Sequence, residues 1–319
     1  MTSVRAAVLT PTSRSTYQWI EDAYIEMGPN GHFSSVTAYA GQVVAEDLRP
    51  GVLIPGFVDA HIHFPQTRII GSASGPLLEW LDKTTFPEEA RFSDPAYAAI
   101  VAEEFCQHLL QAGTTLSMIY GSVHASAAHV LFETLNRAGL RAIAGPVLMD
   151  ENCPNELVVP VDAAMANLEE LAELWHNRNG RLQVAAIPRF ALSCSMDMMQ
   201  AAGELAQSLG LWVSTHLSEN TFECEEAKRL FGTKDYLQVY EDAGLLGPTS
   251  VFAHCIHLSD PEIARFKNAG SVIAHCPDSN VFLGSGGMPI AKLQSEGVPI
   301  AMGTDVAGGR SFRIPHALS

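Results

Sequence analysis

A chain of 319 residues with 47% hydrophobic and 17% charged residues can bury roughly three quarters of its unfolded surface, which argues against disorder. Its formal net charge of −16, from 35 acidic against 19 basic residues with no Lys/Arg cluster, disfavours nucleic acid or any other polyanion as partner. Six scattered cysteines without a CxxC pair speak against a thiolate zinc site or redox couple and fit buried thiols of a reduced compartment. No apolar run reaches bilayer length and the N-terminus, MTSVRAAVLTPTSR, has no signal-peptide core, so a cytoplasmic location is expected.

Residues 1 to about 50 carry short β-like runs at 6–9 and 15–25, broken at Gly28-Pro29-Asn30-Gly31, and predict a small β unit with a hairpin turn. From about residue 54 apolar strands alternate with helical stretches, the arrangement that yields a parallel sheet. The first strand, counted from Leu53, runs out in residues 55–66, PGFVDAHIHFPQ. A short helix is expected at 76–83. A longer one starts at Asp94-Pro95, with Asp94 as cap, and stops at Gly113; Val101, Phe105 and Leu109, four apart, give it a buried face. Strands follow at 114–120, 141–149, 182–190, 211–217, 250–254, 271–275 and 299–304. Helices separate them at 124–138, 162–176, 196–209, in two pieces within 221–243, at 261–269 and at 290–296. Eight strands is the number that closes a (β/α)8 barrel, whose chemistry sits at the C-terminal strand ends.

Those ends carry the candidate site. A strand alternates its faces, so His61 and His63 share one, and two neutral imidazoles side by side suit a divalent metal. Alone, the pair could equally donate to backbone carbonyls. The fourth strand ends in Arg189 and Phe190, the fifth in His216 with Glu219 three residues on, the sixth in His254, the seventh in His275 and the eighth in Asp305. His32, His108, His129, His176 and His316 fall in helices, loops or the tail and read as solvated or capping groups. His124 and His257 read as structural hydrogen-bonding residues, and His275 stays open between the two uses.

The combination HxH, His, His, Asp on strands one, five, six and eight resembles the metal-dependent amidohydrolase superfamily. By that resemblance His61, His63, His216 and Asp305 hold one divalent ion, Zn2+ first among the candidates, with His254 beside them as orienting group or further ligand. The His3Asp set also accepts iron, manganese or cobalt. The fourth strand, LQVAAIPRF, lacks the lysine of the binuclear members, which implies a mononuclear site. His216-Leu217-Ser218-Glu219 is similar to the HxxE of the deaminase members, where the glutamate shuttles protons; taken alone, Glu219 could be a loop acid of an acidic protein.

Residues 75–92, GPLLEWLDKTTFPEEARF, with IPRFALSC at 187–194, AHCPDSN at 274–280, GTDVAGG at 303–309 and HIHFPQ, resemble the guanine deaminases from about residue 55 to 309. The resemblance implies hydrolytic deamination of guanine to xanthine and ammonia. Glu219, His254 and Asp305 would be catalytic, Gln66, Arg189 and Phe190 would contact the purine, and Trp80 would line or support the pocket. His63, His216, Glu219 and Asp305 would also face the substrate. A homodimer is implied, and the cytidine-deaminase pattern of HxE with PCxxC is absent.

The expected fold is therefore α/β, a TIM-like (β/α)8 barrel of the amidohydrolase type with a small N-terminal β unit. Residues 1–53 would form part of a composite β-sandwich and 54–319 the hydrolase barrel. The tail, RSFRIPHALS, leaves the family's sequence ten residues before the end, so a barrel truncated after strand eight is expected, without its last helix and the C-terminal strands. Two alternatives stay open: a deaminase of another aminated heterocycle, such as a triazine, a pterin or 8-oxoguanine, and a catalytically dead metal-binding scaffold.

Overall fold

The structure is a computed structural model that describes residues 2–13, 15–29, 31–72 and 77–318. Contacts divide the chain into two units, Met1–Gly56 and Phe57–Ser319. In the first, β1 (Thr2–Pro11), β2 (Tyr17–Met27), β3 (Phe33–Ala38) and β4 (Glu46–Leu53) form a sheet of order β3-β2-β1-β4. β1 and β2 are antiparallel from Thr2↔Met27 to Pro11↔Tyr17, and β4 runs parallel to β1. Val8, Ala23 and Ile25 make its small core. The expected hairpin turn at 28–31 does join β2 to β3, but its Asn30 lies outside the described residues. Leu53 pairs with Val8 and belongs to this sheet, so the first barrel strand begins later than expected.

The second unit is a nearly closed parallel barrel. Its strands are β5 (Phe57–His63), β6 (Thr114–Tyr120), β7 (Arg141–Gly145), β8 (Val147–Leu148), β9 (Leu182–Pro188), β10 (Trp212–Leu217), β11 (Ser250–His254), β12 (Val272–His275) and β13 (Ile300–Met302). They pair in the order β13-β12-β11-β10-β9-β7-β6-β5, and β8 also pairs β9. The third expected strand, 141–149, is thus split. Pro146 has no N–H to donate to a ladder, so the strand breaks there and resumes at Val147. Past β13 the chain returns to β5: Asp305 N donates to His61 O at 2.9 Å and Thr304 N to Asp59 Oδ1 at 3.0 Å. These bonds close the seam between the first and last strands.

The helix Pro95–Ala112 starts where the sequence sets its cap, with Asp94 accepting from Ala96 N, and stops at Gly113, whose φ of 75° is the left-handed conformation glycine tolerates. Val101, Phe105 and Leu109 are buried along it. The helix expected at 76–83 begins in described residues at Leu77, Pro76 lying outside them, and it runs on through Leu77–Trp80, Leu81–Thr85 and Phe86–Ala90. Its middle piece is a π-helix. Pro87 would ordinarily end a helix, but the wider π turn rephases the backbone ahead of it, so the segment continues. Two further short helices, Pro277–Phe282 and Ile314–Ala317, have no counterpart in the sequence reading. In the tail Phe312 stacks on His108 with ring centroids 4.8 Å apart and meets Phe105 edge-on; Phe312, Ile314 and Ala317 are all buried. Among the described residues no helix is long and apolar enough to cross a membrane.

Candidate active site

Alternation along β5 turns Asp59, His61 and His63 to one side, and all are buried. His63 Nε2 stands 3.2 Å from His61 Nε2 and 3.3 Å from His216 Nε2. Asp305 Oδ1 lies 3.2 Å from His61 Nε2 and 3.4 Å from His63 Nε2. His254 joins from β11, its ring 5.5 Å from those of His61 and His216. His216 Nδ1 donates to Arg189 O at 2.6 Å and His254 Nδ1 to Asn280 Oδ1 at 2.8 Å, which leaves each Nε2 as the free lone pair. Among the described residues His254 Nε2 has no hydrogen-bond partner.

Burial pushes His61 down to about 4 and His216 well below the usual imidazole value, so both are neutral at pH 7. Burial alone would raise Asp305, yet the hydrogen bonds of His61 and His63 hold it well below the carboxylate range. Imidazole nitrogens converging on an ionised carboxylate suit a cation. Ligands at about 2.0–2.1 Å around a tetrahedral ion stand roughly 3.3–3.4 Å apart, which is the spacing these atoms already have. The donor set fits a divalent metal.

Residues 52–318 match the Amidohydrolase family. The chain belongs to the amidohydrolase family. It is 42% identical over 275 residues to a guanine deaminase of Escherichia coli (strain K12), which covers 86% of this chain and 62% of that protein. It is 40% identical over 309 residues to a probable guanine deaminase of Deinococcus radiodurans, covering 93% of this chain and 70% of the other. The chain thus spans between 62% and 70% of these two relatives. The crystal structure of guanine deaminase from C. acetobutylicum with guanine bound in its active site superposes with a TM-score of 0.94 at 32% identity, over 98% of this chain and 76% of that one.

In this amidohydrolase Gln66, Trp80, Arg189 and Phe190 line a small cavity together with His63, His216, Glu219, His254 and Asp305. His61 stands behind it. Glu219 follows β10: its Oε1 accepts from Ser285 Oγ at 3.0 Å and its Oε2 is 3.5 Å from His254 Nε2. Burial brings its carboxyl up to about 7, with the Asp305 charge adding and His254 opposing. His275 does not reach the cavity. Burial lowers it to about 4, and among the described residues its Nδ1 has no hydrogen-bond partner. His257 Nε2 bonds Ser285 O at 3.0 Å, the structural use expected of it, whereas His124 Nε2 is buried without a bond among the described residues.

Several residues of the site were not singled out by sequence. Asp59 accepts from Thr304 Oγ1, Thr304 N and His61 N; Asn280 and Ser285 orient His254 and Glu219; Glu89 binds Gln66 and Arg189. Asn280 and Glu89 do lie inside the stretches AHCPDSN and TTFPEEARF, but nothing in those stretches tells a buried Glu89 from its neighbours.

The strand ends bend sharply to present these groups. Ser218, His254 and Asp305 have φ of 52°, 71° and 49°, left-handed values that cost a non-glycine residue energy. Ser218→Val is expected to destabilise the protein by about 2 kcal/mol or more, because a β-branched side chain fits that conformation worst, while Ser218→Gly should melt near the wild-type temperature. Thermal melts of the two variants check this, and equal losses in both would contradict it.

Proposed function

We propose that this amidohydrolase is a guanine deaminase, a hydrolase of C–N bonds in cyclic amidines. The observation that carries this is one cavity in which Gln66, Arg189 and Phe190 stand with Glu219 and the metal-binding cluster. The relatives named above support it. His61, His63, His216 and Asp305 would hold one ion, and the nitrogen-rich set favours Zn2+. When bound, such an ion lowers the pKa of a water to about 7.

Glu219 takes the water proton as the water oxygen bonds to C2 of guanine. Its carboxyl then delivers that proton to ring nitrogen N3, takes the second proton from the added hydroxyl as C2=O forms, and passes it to the amine as the C2–N bond breaks. His254 and Asp305 orient the water. Ammonia leaves and xanthine remains. Arg189 only donates, so it matches the O6 and N7 acceptors of guanine and opposes the 6-amine of adenine. Phe190 offers the ring a face to stack on. The same proposal makes the protein a cytoplasmic homodimer acting on the free base.

Purified protein should contain about one metal ion per chain and consume guanine, followed by its loss of absorbance and by ammonia release. Metal-loaded protein inert toward guanine but active on a triazine, a pterin or 8-oxoguanine would replace the substrate. Inertness toward all of them would mark a catalytically dead scaffold.

A further inference from the structure

Behind the cavity wall lies a buried carboxylate that the reaction does not use. Glu89 sits in the last turn of the helical segment that begins at Leu77, is 3% exposed, and is not part of the cavity lining. Its Oε2 accepts from Arg189 Nη1 at 2.6 Å and its Oε1 from Gln66 Nε2 at 3.1 Å. On its other side, Gln66 Oε1 accepts from Ala307 N at 3.2 Å. A carboxylate can only accept and a backbone N–H can only donate, so the Gln66 amide has one permitted orientation. Its carbonyl must face Ala307 and its amino group Glu89, which leaves one N–H for a ligand.

The same carboxylate cancels the charge of a guanidinium that is itself 3% exposed and sits 5.2 Å from the Phe86 ring centroid. The recognition edge is therefore neutral overall and rich in donors. A neutral heterocycle with an oxo acceptor fits such an edge, and one carrying an amine in that place does not.

We propose that Glu89 is the positioning residue for substrate selection: it fixes the Gln66 amide and neutralises Arg189, so the pocket accepts a 6-oxo purine and rejects its 6-amino counterpart. This rests on the deaminase reading above. Without Glu89 the amide can turn over and present its oxygen, and Arg189 becomes an unpaired buried cation. Neither change touches the groups that move protons.

The test compares guanine with 2,6-diaminopurine, which keeps the 2-amine and exchanges the 6-oxo group for an amine. Wild-type protein, Glu89→Gln and Glu89→Asp are first checked for metal content and cooperative melting. In Glu89→Gln the KM for guanine should rise about tenfold or more with a smaller change in kcat, and the ratio of the 2,6-diaminopurine inhibition constant to the guanine KM should fall by at least about tenfold. Glu89→Asp keeps the charge but is one methylene too short to hold both contacts, so its ratio should fall in the same direction with a smaller rise in KM. That second variant decides the matter if the first does not fold. A ratio unchanged in a folded variant, or a loss confined to kcat for both ligands, overturns the proposal. Wild-type protein that does not consume guanine overturns the deaminase reading, and this one with it.

Discussion

Glu219→Gln is expected to lower kcat by about two to four orders of magnitude while leaving KM and metal content close to wild type. The amide can still accept from Ser285 Oγ and face His254, so the local structure survives the exchange. It cannot take a proton from water. His61, His63, His216 and Asp305 make no hydrogen bond to Glu219, which is why their hold on an ion should not change. Steady-state turnover of guanine beside metal analysis on the same preparations checks both halves. A variant with near wild-type kcat would remove Glu219 from the chemistry, and one that lost its metal would recast it as a structural residue.

Asp59→Ala should be the most destabilising of the substitutions considered. The carboxylate lies fully buried, raised to about 7 by that burial, and accepts from Thr304 Oγ1, Thr304 N and His61 N. Removing it strands donors that no water can reach, at about 1–3 kcal/mol each, so a total near 3 kcal/mol or more is expected. For a chain of this size that lowers the melting temperature by roughly 4–5 °C or more. Metal should weaken too, because Asp59 holds His61 by its backbone and holds the residue before Asp305. Asp59→Asn, which keeps an acceptor for the backbone donors, should lose less. Melting curves with and without added metal measure this, and an unshifted melt in Asp59→Ala would refute it.

Much of this site is legible in the sequence because barrel topology converts order into place. Once strands end at His63, Arg189, His216, His254 and Asp305, side chains up to 244 residues apart must share one rim; the span is that from His61 to Asp305. What stayed hidden depends on packing in three dimensions. Asp59 looks like any polar residue at a strand start until Thr304 is placed against it. Glu89 is one acid in a run with Glu88; both are buried, and only their partners, Arg91 and Tyr97 for Glu88 against Gln66 and Arg189 for Glu89, separate their roles. Local rules also misjudge that segment, since they end a helix at proline and cannot foresee the π turn. The split of the third strand at Pro146 follows from proline chemistry, but a continuous apolar run conceals it. The short helix Ile314–Ala317 carries too few residues to show any periodicity.

The seam between Asp59 and Thr304 joins residues 245 positions apart. Loop closure of that span is among the most entropically demanding contacts the chain can make, so it belongs late in folding. The cluster of His61, His63, His216 and Asp305 exists only once that seam has formed. An early intermediate with several strands already paired would hold at most part of it. An ion held by these four residues would therefore report completion of the barrel and, by binding the closed state, would act as a latch against reopening at its first and last strands.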